Sequence, residues 1–198
     1  MDYYIDKVKD FNKRADYTKD INTAKLFLKF CMSLTKSRKI FIIGTGLGGD
    51  YKIIKYVKNF KIIAIEPRHT FYEYALKEYK KSGAKLLKMD LGEFAKISKS
   101  LSGIFLFIHS INHIPKNQIS VFQKAIKNSY IIIVNPNSEI EKIVGKVDKT
   151  VISYLDSKKI QKLLNSEIIF DFFYNLVKIK GKNIFLREAL VLKTKTKI

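Results

Sequence analysis

From residue 39 onward the chain spells five mainly apolar runs, "KIFIIG", "KIIAIE", "AKLLKMD", "GIFLFIHS" and "YIIIVNPN", each followed by a segment of different periodicity. The runs do not alternate apolar with polar residues. An unbroken run buries both faces of a strand, so the pattern belongs to a parallel sheet covered by helices on each side. Parallel neighbours need a crossover, and "DYKIIKYVKNF", "TFYEYALKEYKKSG", "LGEFAKISKSLS" and "PKNQISVFQKAIKN" read as the helices that supply it. Gly83 is placed to stop the second of these, and Pro115 to open the fourth. "EIEKIVGKVDKT" reads as a loop or short helix, and "DSKKIQKLLNS" as one more helix. The closing stretch "EIIFDFFYNLVKIKGKNIFLREALVLKTK" reads as two long strands. Their link at "KGKN" is too short for anything but an antiparallel pair. The expected class is α/β, a doubly wound, mostly parallel sheet with an antiparallel C-terminal pair.

Residues 1–36 read as a mostly helical N-terminal segment. Ile21, Ala24, Leu26, Leu28, Phe30 and Leu34 form its apolar face, and Asp20 or Asn22 is a candidate cap for its start. Tyr3, Tyr4, Phe11 and Tyr17 lie among lysines there. Such rings pack a helix onto the sheet, form a lid, or stack on bases.

Composition narrows the partners. With 38 basic residues against 18 acidic ones the net charge is +20, which suits an anionic partner such as nucleic acid. Only Arg14, Arg38, Arg68 and Arg187 are arginines, the residue that reads phosphates and guanines by paired hydrogen bonds. A lysine excess also fits a merely solvated surface. One cysteine, Cys31, cannot form an internal disulfide, and the N-terminus is charged throughout. No apolar run reaches the ~20 residues of a membrane span. These features lead us to expect a soluble, cytoplasmic protein of 198 residues, without a membrane contact.

The first apolar run meets Gly44, Gly46, Gly48 and Gly49, four of the nine glycines in the chain. A strand, a glycine turn and a helix start bring unpaired backbone N–H groups close to a ligand. Glu66 closes the second run and Asp90 the third. A carboxylate at the tip of a neighbouring strand accepts from ribose hydroxyls. Glycines on one strand tip and acids on the next two point to a nucleoside-containing ligand. Gly44, Gly46 and Gly49 also match the G-x-G-x-x-G dinucleotide pattern, so NAD remains an alternative. Against it, 198 residues leave no substrate-binding part, and the antiparallel pair is foreign to the usual dinucleotide sheet.

At this point the chain resembles the class I S-adenosylmethionine-dependent methyltransferases. The resemblance rests on "FIIGTGLGGD", "IIAIEPRHTF", "KLLKMDLGEF", "GIFLFIHSINHIP", "SYIIIVNPN" and the terminal strand pair, in the order of the family. It implies a Rossmann-like sheet of seven strands, with residues 37–198 as the S-adenosylmethionine-binding domain. It further implies that Gly44, Thr45, Gly46 and Gly48 pass beneath the methionine and ribose, and that Glu66 binds the ribose hydroxyls. Pro67 and Arg68 would lie near the adenine, Asp90 would accept from its amino group, and the Leu91 amide would meet a ring nitrogen. His109 and Ser110 would lie near the methyl group. The family often carries an acid two residues before the first glycine, where this chain has Ile42. Asp50, or a backbone carbonyl near His109, would then take the cofactor's ammonium.

Methyl transfer needs alignment more than a marked catalytic residue. The candidates for proton removal are His109 and His113 in "HSINHIP", two of three histidines. His69 reads as a loop residue, and no compact ligand spacing suggests a metal. The implied activity is transfer of a methyl group to a small molecule, a protein or RNA. A non-catalytic, basic nucleic-acid-binding protein on the same fold is the main alternative, and an NAD-dependent oxidoreductase the other. Amino-methylating DNA enzymes of this fold carry a Pro-Pro-aromatic motif after the fourth strand. "HSIN" stands there instead, and "NPNS" at residues 135–138 lacks the second proline and the aromatic.

Overall fold

A computed structural model describes residues 15–55, 57–98, 100–144, 151–152 and 155–195. The strands are β1 (Lys39–Ile43), β2 (Lys61–Ile65), β3 (Lys85–Leu87), β4 (Ile104–Ile108), β5 (Tyr130–Pro136), β6 (Ser166–Ile179) and β7 (Lys182–Thr194). They form one seven-stranded sheet in the order β3-β2-β1-β4-β5-β7-β6. β1 to β5 pair in parallel, and β7 runs antiparallel to both β5 and β6. The hairpin turns at Lys180 and Gly181, whose φ values of +48° and +79° match the right-handed twist of the flanking strands.

The unbroken apolar runs are explained by the two faces. Ile40 and Ile42 of β1 enter one core, and Phe41 and Ile43 the other. The first core is closed by α1 (Ala15–Leu34), α2 (Tyr51–Ile54) and α3 (His69–Tyr79), through Ile21, Leu28, Ile53 and Tyr79 among others. The second is closed by α4 (Leu91–Ile97), α5 (Lys116–Ala125) and α7 (Ser157–Leu164), through Phe94, Phe122 and Ile160. A further short helix, α6 (Glu139–Val144), follows β5. Gly83 does stop α3, after one 3-10 turn, at φ +71°. Pro115 sits one residue ahead of α5, at its cap.

Three local expectations are corrected. Asp20 is not a cap: α1 already runs from Ala15, and Asp20 lies inside it with no exposed surface. The helix after the glycine loop is one turn, Tyr51–Ile54: the Val57 N–H donates to the Ile54 carbonyl at 2.9 Å, and Asn59 beyond it is left-handed. Leu26 and Leu34 are 66% and 50% exposed, so the buried stripe of α1 runs instead through Tyr17, Ile21, Ala24, Leu28 and Cys31. Tyr3, Tyr4 and Phe11 lie outside the described residues. Among the described residues no helix is long and apolar enough to cross a membrane.

The chain leaves β1 for β2 and β3 on one side, then returns to β4 on the other. Ligands of open parallel sheets bind at such a reversal, beyond the carboxyl ends of the strands. Gly44, Glu66 and His109 each directly follow a strand on that edge.

Candidate functional site

The glycine loop is built for close approach, but most of it approaches the protein itself. A Cβ on Gly44 would lie 2.8 Å from Ser110 Cβ, one on Gly48 3.0 Å from Ala75 Cα, and one on Gly49 2.5 Å from Tyr17 Oη. Gly46 differs. Its φ is +53°, and a Cβ there would meet nothing within 4 Å. The Gly46 N–H donates to Glu66 Oε2 at 2.8 Å. Loop and second strand are thus joined at the one glycine of the loop that opens on free space.

Glu66 is 4% exposed. Its Oε1 accepts from the Arg68 backbone N–H at 3.1 Å. Burial raises its pKa, and the Arg68 and Gly46 amides with the Arg68 charge oppose that rise without cancelling it. Arg68 lays its guanidinium over the Phe71 ring at 5.4 Å, and Pro67 beside it is exposed.

Asp50 lies deeper. Its Oδ1 accepts from the Tyr17 hydroxyl at 2.7 Å, and its Oδ2 has no partner. Burial pushes its pKa up to about 7, with the Tyr17 bond opposing and the Glu66 charge adding to the rise. Thr45 Oγ1 and Ser110 Oγ are likewise buried without a partner. Unpaired buried oxygens are rare in folded proteins and call for an explanation. Here three of them belong to the glycine loop and to Ser110, which touches it. Ile42, where the family often has an acid, is fully buried in the core.

At the tip of β4, His109 adopts φ +55°. A non-glycine residue held there is strained, and such strain gathers at functional sites. His109 Nε2 lies 2.7 Å from Asp20 Oδ2. The same carboxylate accepts from Arg187 Nε at 3.1 Å and from the Tyr174 hydroxyl at 2.6 Å. Burial alone would raise the Asp20 pKa, but His109, Arg187 and Tyr174 together hold it below the ordinary value. Sequence reasoning missed Asp20 as a site residue. The usable clue was an acid inside the buried stripe of α1, with Arg187 in a late strand as its counter-charge.

His113 is placed otherwise. It closes a 3-10 turn, Ile111–His113, and its N–H donates to the Ser110 carbonyl at 3.0 Å. Asp90 lies three residues beyond β3 and caps α4. It accepts from the Glu93 N–H at 2.8 Å, while Glu93 accepts from the Asp90 N–H at 3.0 Å. Its Oδ2 also accepts from Gln118 Nε2 at 3.1 Å. Leu91 opens α4 with its side chain buried. Asp90, Gly92, Glu93 and Gln118 border a cleft of about 220 Å³. Gly46, Glu66 and the glycine-loop oxygens are therefore gathered together, His109 is tied to α1, and Asp90 serves the neighbouring helix start.

No protein-family model and no curated protein matches the sequence. Solved structures match the fold. An S-adenosylmethionine-dependent methyltransferase from Archaeoglobus fulgidus superposes with a TM-score of 0.71 at 16% identity, over 98% of this chain and all of that one. One from Clostridium acetobutylicum gives 0.64 at 10% identity, over 96% and 98%. Magnesium protoporphyrin IX methyltransferase from Synechocystis, solved with S-adenosylmethionine bound, gives 0.61 at 10%, over 98% and 86%. The architecture is that of the S-adenosylmethionine-dependent methyltransferases, seven strands and reversed last strand included.

Proposed function

We propose that this chain, with its methyltransferase fold, is an S-adenosylmethionine-dependent methyltransferase acting on a small molecule, protein or RNA in the reducing cytoplasm. The carrying observation is the joint of Gly46 and Glu66 beneath open space, with unpartnered oxygens of Thr45, Asp50 and Ser110 around the same loop.

The residues fit the cofactor. Each Glu66 oxygen already accepts one backbone N–H, and each has a second lone pair for a ribose hydroxyl. An α-ammonium brings three donors, and Asp50 Oδ2, Thr45 Oγ1 and Ser110 Oγ lack donors. Asp50 thereby fills the role that Ile42 leaves open. The Leu91 N–H belongs to the first turn of α4, whose N–H groups have no intrahelical partner, and would serve the adenine.

When bound, the cofactor supplies a methyl group activated by its sulfonium. His109 serves as the base. Its Nε2 is held by Asp20 Oδ2, and that contact orients the imidazole for taking a proton from the methyl acceptor. Asp20 is the positioning residue, and Arg187 keeps its charge in place.

Titration calorimetry of the full chain with S-adenosylmethionine and with NAD tests the reading. Saturable binding of the first and none of the second is expected. Glu66→Ala should weaken that binding by about 1.5–3 kcal/mol, the worth of hydrogen bonds to a charged group. Binding of NAD alone, or an unchanged affinity in the variant, overturns the assignment.

A further inference from the structure

A second concave site lies on the same edge of the sheet, three strands from β1. It is a cleft of about 380 Å³ where β5 and β7 meet, lined by Asn137, Glu139, Asp156, Phe173, Phe185 and Glu188. Neighbouring strands stand about 4.8 Å apart, so it is roughly 15 Å from the glycine loop. In a chain of charge +20 its lining is acidic. Asp171 adds a fourth carboxyl, whose negative charge lies close enough to raise the Glu188 pKa.

Glu188 is 2% exposed, and its Oε1 has no hydrogen-bond partner. Its register partner on β5, Asn135, is 1% exposed, and neither of its amide atoms is partnered. Leaving such groups dry and unpaired costs free energy that a fold does not expend on packing alone. Burial, with Asp171 and Asp156 nearby, raises Glu188 to about 7. Lys159 Nζ pairs with Asp156 Oδ2 at 3.1 Å, at the exposed rim of the cluster.

The aromatic rings decide the kind of cation. Phe173 and Phe185 are 38% and 41% exposed, with ring centroids 6.3 Å apart. Ring faces attract ammonium and shield its alkyl part from water. A hard divalent ion wants a closed shell of oxygens instead. Among the described residues no three His, Cys, Asp or Glu side chains are arranged to hold a metal. The volume is that of a small-molecule pocket.

We infer that this cleft binds a small primary alkylammonium ion, with an N–H directed at Glu188 Oε1 and the alkyl part between Phe173 and Phe185. The inference is independent of the methyl-donor assignment, because none of these residues belongs to the glycine-loop site.

The test is calorimetric titration of the full chain with butylammonium chloride at constant ionic strength. Tetramethylammonium, which has no N–H, and magnesium chloride are the comparison ions. Saturable binding of butylammonium, stronger than that of tetramethylammonium, is expected. Glu188→Gln, nearly isosteric, should weaken it about tenfold or more. Phe185→Leu should weaken it about two- to fivefold, and this variant leaves the carboxyls untouched should Glu188→Gln fail to fold. Absence of saturation, undiminished binding in the folded Glu188→Gln or Phe185→Leu variant, or saturation by magnesium in place of butylammonium overturns the proposal.

Discussion

Asp50 is buried on the floor of the glycine loop with one oxygen paired to Tyr17 and the other to nothing. Its folded pKa, about 7, lies above the ordinary carboxylate value. The folded state therefore keeps a proton that the unfolded chain releases between about pH 4 and 7. The stability tied to that proton is present in acid and is lost as pH rises through about 7. Replacing the carboxyl with an amide removes the penalty of ionising it. Urea unfolding should show Asp50→Asn more stable than the parent at pH 8 and close to it at pH 4. Equal differences at the two pH values would mean that Asp50 ionises freely in the fold. The same variant should bind S-adenosylmethionine more weakly, since the amide has no charge to offer an ammonium. A gain in stability coupled to a loss of binding is the pattern of a residue kept for function.

At the scale of elements, α1 is held by charge as well as by packing. Asp20 joins it to Arg187 of β7, Tyr174 of β6 and His109 after β4. Removing one partner from such a buried set strands the others. Asp20→Ala should cost about 3–5 kcal/mol by denaturant unfolding at neutral pH. Asp20→Asn keeps one oxygen, for Tyr174 or for Arg187 but not for both, and should cost less than Asp20→Ala; a loss near zero for both variants would show that the network is slack. This network also marks where sequence reading stopped. The strands were legible because an unbroken apolar run such as "IFLFI" has one physical use, and the hairpin because "KGKN" leaves no room for a crossover. Gly46 and Glu66 were legible because strand tips share an edge. Asp20 was not, because its partners lie 89, 154 and 167 residues away and local spacing says nothing of them. Asp90 is a strand-tip acid by sequence, but its neighbour Glu93 makes a capping box of it. That Ser110, Ala75 and Tyr17 occupy the space spared by Gly44, Gly48 and Gly49 was not legible, because those neighbours lie far along the chain.

The whole molecule carries +20, and the distribution of that charge separates two ways of binding. Of the arginines, Arg187 is buried with Asp20, while Arg38 and Arg68 lie over Phe60 and Phe71. Apart from Arg14, which lies outside the described residues, the remaining excess is lysine, which attracts phosphates without reading bases. Attraction of that kind releases counterions and weakens steeply with salt, by about 0.7 in log K per contacted phosphate for each decade on a single strand. The cofactor contacts proposed at Glu66 and Asp50 are buried and short-ranged, and salt screens buried contacts far less. Binding of single-stranded RNA should therefore collapse between 50 and 200 mM salt, taken as a window from the general counterion argument. Over the same window S-adenosylmethionine affinity should stay nearly constant. Filter binding and calorimetry on one preparation measure both. If RNA affinity proved salt-insensitive and sequence-selective while the cofactor did not bind, the basic surface would be the functional site, and the glycine loop only a turn.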